Sequence, residues 1–245
     1  MALTTVETDD GPLPVYLARP ADRPPWPGVV VIHDALGMTT DLRRQCEWLA
    51  DHGFLAVAPD LLHRGPRLWC VVSAMRSLVR RRGRGFDELE ATRSWLAAHE
   101  DCTGRVGVIG FCLGGGFAVL LAGGGRYQAA SVNYGGVPED ADELLADACP
   151  VLGSYGALDR SLADAPARLE RALTRAEVPH QVTVYEGAGH SFLNDHPREE
   201  MPLWAFVPGR FVRSGYHADS ADAARRRIVA FFDEHLGSSD DGHRS

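Results

Sequence analysis

One stretch limits this chain more than any other: Gly107-Val108-Ile109-Gly110-Phe111-Cys112-Leu113-Gly114-Gly115-Gly116-Phe117-Ala118-Val119-Leu120. It begins as an apolar, β-branched run that suits a buried strand and continues as small apolar residues that suit a helix. Between them lies Gly110-x-Cys112-x-Gly114. A strand that turns straight into a helix crowds its backbone and strains the central residue, so glycine is needed on both sides. The pattern is that of a nucleophile elbow, with cysteine where serine is commoner. The sulfur then stands at the N-terminus of the following helix, where unpaired N–H groups and the helix dipole stabilise negative charge. The competing reading is a small, buried, apolar cysteine; the strand-before, helix-after context favours the nucleophile.

The rest of the chain supplies the frame. Leu3–Thr8 and Leu13–Arg19 alternate around an Asp9-Asp10-Gly11-Pro12 turn and predict a leading β-hairpin. Gly28–Ile32, Phe54–Ala58, the elbow strand, Ala129–Tyr134, Pro150–Tyr155 and Gln181–Tyr185 predict strands, several of them continuous apolar runs with both faces covered. Helical spacing predicts helices over Asp41–Asp51, Asp87–His99, Ala163–Glu177 and Ala218–Leu236. Leu61–Gly85 is Arg-rich and reads as irregular, most of its arginines as solvated surface. Alternating strands and helices predict an α/β fold: a mostly parallel sheet covered on both faces, behind an antiparallel hairpin. A single domain spans residues 1–236, and the polar stretch 237–245 reads as a disordered tail.

Composition narrows the function. The formal net charge of −8 argues against nucleic acid as a partner, and no apolar run reaches membrane-spanning length. The five cysteines are odd in number and widely spaced, and the start of the chain is polar and acidic, unlike a secretory signal. A reducing, cytoplasmic setting is the expectation. No CxxC pair and no HExxH is present, so no metal site is expected.

In sheets of this kind functional residues gather at the carboxyl ends of the strands. Asp34, Cys112, Asp159 and His190 each follow a predicted strand. The chain order nucleophile, acid, histidine is that of α/β-hydrolases. Cys112 is the candidate nucleophile, His190 its proton acceptor, and Asp159 the carboxylate that fixes the imidazole tautomer. Asp159 also suits a helix N-cap, and His190 a glycine-rich turn. His180 falls at the start of a strand, at the wrong end of the sheet, and Asp164 falls within a predicted helix. An oxyanion is expected to be held by the backbone N–H of Leu113 and of Ala35.

The segments Val57-Ala58-Pro59-Asp60-Leu61, Gly110-Phe111-Cys112-Leu113-Gly114-Gly115, Gly156-Ala157-Leu158-Asp159 and Gly187-Ala188-Gly189-His190-Ser191-Phe192 resemble those of the dienelactone hydrolase (carboxymethylenebutenolidase) family. The resemblance runs through Phe231-Phe232 of the closing helix. It implies an α/β-hydrolase fold and cofactor-free hydrolysis of an enol-lactone or activated ester through an acyl-thioenzyme. It also implies a glutamate that helps activate the thiol, where this chain has the shorter Asp34, and an arginine that holds the substrate carboxylate, where this chain has Asn194. The expected partner is a small-molecule ester or lactone, with the chain a monomer or homodimer. Residues 196–217, with Trp204, Phe206 and Phe211, read as substrate wall or dimer contact. Two further readings stay open: thioester hydrolysis or acyl transfer on a non-lactone substrate, and a non-catalytic ligand receptor or redox sensor on the same fold.

Overall fold

Apolar residues at alternate strand positions sort onto the two faces of one sheet. The computed structural model describes residues 2–201 and 214–237. Its strands are β1 (Ala2–Thr8), β2 (Gly11–Ala18), β3 (Trp26–Ile32), β4 (Leu55–Pro59), β5 (Cys102–Phe111), β6 (Ala129–Asn133), β7 (Val151–Gly156) and β8 (His180–Tyr185). They form a sheet of order β1-β2-β4-β3-β5-β6-β7-β8. β1 and β2 pair antiparallel, β2 joins β4 antiparallel, and the strands from β4 to β8 across the sheet are parallel. The α/β prediction with its leading hairpin therefore stands.

Helices α1 (Thr40–Ala50) and α7 (Ala218–Leu236) cover one face, meeting Val29, Val31, Ile109 and Phe111. Helices α3 (Arg84–Ala97), α4 (Leu113–Ala122) and α6 (Ala165–Arg175) cover the other, meeting Val30, Ile32, Val106 and Val108. From β3 the chain goes to β4 on one side, then crosses to β5 on the other. That reversal opens a crevice at the carboxyl ends of β3 and β5, where such sheets bind ligands.

One prediction is corrected. Residues 61–85 are not irregular throughout: they contain α2 (Arg67–Arg80). Its periodicity is inverted relative to an ordinary surface helix. Small residues, Cys70, Ala74 and Ser77, face inward, while Leu68, Trp69, Met75 and Val79 are exposed. Flanking arginines and this inversion hid the helix from a reading that expects large apolar residues inside. The four-residue helix α5 (Ala141–Leu144) was too short to register. α3 begins three residues earlier than predicted, at Arg84.

Glu88 on α3 is 1% exposed, and neither carboxylate oxygen has a hydrogen bond. Burial pushes its pKa up to about 7, against the pull of Arg84 and Arg64 at 3.5 and 3.8 Å, with Asp10 and Asp60 pushing further upward. A carboxyl raised on folding binds its proton more tightly in the folded state. Its contribution is present at acidic pH and is lost as pH rises through about 7. Wild type should therefore lose about 2 kcal/mol relative to Glu88→Gln between pH 5 and pH 8, read from paired urea melts. Parallel stability curves for the two proteins would refute this.

Candidate active site

The elbow is built by close backbone approach. β5 runs directly into Cys112, which adopts φ 54°, ψ −109°, and α4 starts at the next residue. A Cβ on Gly110 would lie 2.0 Å from the Gly114 carbonyl oxygen, and one on Gly114 would lie 2.3 Å from the Ile32 carbonyl oxygen. Backbone atoms cannot retreat as a side chain can, so both positions require glycine. The strain at Cys112, about 1–3 kcal/mol for such a conformation, is held by the packed strands on either side. The thiol is thereby presented at the carboxyl end of a central strand, half-buried. Leu113 is the first residue of α4, so its N–H has no partner within the helix. Ala35, in the loop after β3, lines the same pocket as Cys112.

Asp159 and His190 meet across two loops. The His190 Nδ1 donates to Asp159 Oδ2 at 2.6 Å. The other carboxylate oxygen, Oδ1, accepts from the Ser161 N–H at 3.0 Å and the Ser161 hydroxyl at 2.5 Å. Asp159 is thus both the cap of the short 3-10 turn Arg160–Leu162 and the partner of His190, and one residue fills both roles considered for it. The loops are joined by a backbone bond from Leu158 N–H to the Ala188 carbonyl, 2.9 Å. Burial alone raises the Asp159 pKa, but the bonds from His190 and Ser161 outweigh it and hold the carboxyl below its ordinary value. For His190, burial disfavours the charged ring. Hydrogen bonding to Asp159 on one side and to Cys112 on the other reverses this and lifts the imidazole pKa to about 10. Tyr134, itself at φ 42°, packs its ring against that of His190, the centroids 5.3 Å apart and the planes tilted by 60°.

Asp34 and Asn194 are committed elsewhere. Asp34 Oδ1 accepts from the Leu36 N–H at 2.7 Å, and Oδ2 pairs with His196 Nε2 at 2.7 Å. No hydrogen bond from Asp34 to Cys112 occurs among the described residues. Asn194 is buried, donates to Asp41 Oδ2 at 2.6 Å and accepts from the Tyr134 hydroxyl. Asp41 Oδ1 in turn takes the Asp195 N–H at 2.9 Å. Asp41, buried at the start of α1, therefore ties down the loop that carries His190.

Beside Cys112 and His190 opens a pocket of about 590 Å³. Val71, Met75, Leu78 and Val79 of α2 form one wall, and Leu113, Gly116 and Leu120 of α4 another. Apart from His190, Arg81 is the sole cation among the described residues that line it, and it pairs with Asp140. Among the described residues no group of three or more His, Cys, Asp or Glu side chains could hold a metal ion, and no helix is long and apolar enough to cross a membrane.

Residues 13–236 match the model of the dienelactone hydrolase family. This chain belongs to the dienelactone hydrolase family. Among curated relatives, a carboxymethylenebutenolidase of Pseudomonas putida is 28% identical, the match covering 93% of this chain and 94% of the relative. Among solved structures, a dienelactone hydrolase-like promiscuous phosphotriesterase from metagenomic libraries superposes with a TM-score of 0.77 at 24% identity, over 96% of this chain and 99% of that one. A dienelactone hydrolase from Anabaena variabilis gives a TM-score of 0.66 at 20% identity, over 96% and 97% of the two chains. At these identities the two structures establish the shared fold.

Three features of this dienelactone hydrolase family member were not foreseen from the sequence. Tyr134 carried a usable signal, its position at the carboxyl end of a strand beside Gly135-Gly136. Asp41 and His196 carried none, since their partners lie more than 150 residues away in the chain. The aromatic residues Trp204, Phe206 and Phe211 lie outside the described residues, as does all but Gly237 of the stretch read as a tail.

Proposed function

We propose that this member of the dienelactone hydrolase family cleaves an activated ester or enol-lactone through Cys112, His190 and Asp159, by way of an acyl-thioenzyme. The observation that carries the reading is His190 bonded to the Asp159 carboxylate at 2.6 Å and facing the same pocket as Cys112 on its strained turn. The Cys112 sulfur adds to the substrate carbonyl carbon while His190 holds the thiol proton. The N–H groups of Leu113 and Ala35 receive the oxyanion. As the carbon–oxygen bond breaks, His190 gives its proton to the leaving oxygen. Water then adds to the thioester carbonyl, its proton passing to His190. The carbon–sulfur bond breaks, the acid leaves, and the proton stays on His190, as at the start of the cycle. An imidazole whose pKa lies near 10 keeps its proton at neutral pH until the leaving oxygen takes it. A stabilised leaving group, such as an enolate or phenolate, suits a thiol nucleophile better than an alkoxide.

A rapid acid quench during turnover of a p-nitrophenyl ester should yield protein carrying one acyl group, mapped to the peptide containing Cys112. A burst of p-nitrophenolate equal to the enzyme concentration should precede the steady state when deacylation is slower than acylation. Steady turnover with the label on another residue would overturn the assignment.

A further inference from the structure

The proposed chemistry leaves the substrate's shape open, and the pocket beside Cys112 restricts it. Resting on the reading of Cys112 as nucleophile, we propose that the acyl group is neutral, apolar and several carbons long, and that it lodges against α2. It stays bonded to the Cys112 sulfur through the intermediate, so it is the part of the substrate that must fit the pocket which Cys112 lines.

Three independent observations point to this. The first is the inverted face of α2. Met75 and Val79 line the pocket and yet remain 55% and 85% exposed, so apolar area stands uncovered beside the nucleophile. An ordinary surface helix turns such residues inward; here small Cys70, Ala74 and Ser77 occupy the inner side. Apolar surface left bare at a concave site is surface that a ligand covers. The second is the facing wall, where Leu113 and Leu120 of α4 stand across from Leu78 of α2, so that both sides of the pocket are aliphatic. The third concerns charge. Among the described residues that line the pocket, the one cation besides His190 is Arg81, and Asp140 already offsets its charge. Asn194 offers no substitute, being buried and bonded to Asp41 and Tyr134.

The test is a series of p-nitrophenyl esters from acetate to octanoate, with an anionic hemiadipate set against neutral heptanoate. The expected result is a rise in kcat/KM of about fourfold for each methylene the pocket buries, until it fills. Heptanoate should exceed the hemiadipate at least tenfold. Val79→Asp, at an exposed position the fold tolerates, should lower the octanoate-to-acetate ratio at least tenfold. Calorimetric binding of octanamide, which undergoes no turnover, should be tighter than that of the anion succinamate. A flat series, or preference for the anion, in an enzyme that still acylates Cys112 overturns the apolar pocket and leaves the nucleophile standing. Octanamide binding that Val79→Asp weakens, without turnover of any ester, supports the pocket and removes the nucleophile. Loss of both turnover and octanamide binding overturns both.

Discussion

Cys112→Ala should lower kcat/KM for p-nitrophenyl esters by about 10⁴-fold or more, close to the limit set by background hydrolysis. That factor corresponds to at least about 5.5 kcal/mol of lost transition-state stabilisation. Removing the sulfur leaves nothing on the turn to form the acyl bond, whatever His190 and the oxyanion donors still contribute. The fold should survive. Cys112 is half-buried, and alanine meets the same left-handed backbone (φ 54°) that cysteine tolerates there. The loss should therefore appear in kcat/KM while the thermal midpoint moves by no more than a few degrees. Substantial turnover by a folded Cys112→Ala protein would place the nucleophile elsewhere.

Asp159→Asn should reduce kcat by about 10⁴-fold, the size of effect known when the corresponding aspartate of a serine protease triad is replaced. Asparagine can present its amide to His190 Nδ1 and hold the wrong tautomer. It also removes the negative charge whose hydrogen bond at 2.6 Å helps lift the imidazole pKa to about 10. That lift sets the sign of the pH dependence. A group raised on folding is protonated up to its folded pKa and loses its proton above it, so the rate that depends on imidazolium should fall as pH climbs through about 10 in wild type. In Asp159→Asn this alkaline limb should move toward neutral pH. A structural role for Asp159, as the cap receiving Ser161, would instead change stability and leave the limb in place. Measuring kcat/KM against pH alongside thermal melts separates the two, and an unmoved limb with near-normal kcat/KM would remove Asp159 from the catalytic group.

The elbow is legible in the sequence because its requirement is local. A strand that turns within one residue into a helix admits only glycine where backbones nearly touch, and Gly110 and Gly114 write that requirement into the chain. Strand ends are legible for a similar reason. Continuous apolar runs mark strands buried on both faces, and the residues just past them fall at the sheet's functional edge. Cys112, Asp159 and His190 group together on that ground although 78 positions separate the first from the last. By contrast, the inward turn of Asn194 toward Asp41 and the pairing of Asp34 with His196 have no local signature. A carboxylate or amide on a loop is equally compatible with solvent, substrate or a distant partner.

What this sequence determined by itself is the order of its strands, the strained turn at Cys112 and the identity of residues that end strands. Each depends on backbone sterics and on hydrophobic periodicity, which act over a few neighbouring residues. Tertiary structure alone decided that Val71, Met75, Leu78 and Val79 of α2 line the pocket while its small residues face inward, that Arg81 is neutralised by Asp140, and that Asp41 anchors the loop bearing His190. Those outcomes depend on which surfaces meet when the sheet closes, and on buried polar groups finding partners far along the chain, because in a low-dielectric interior an unpaired one is costly.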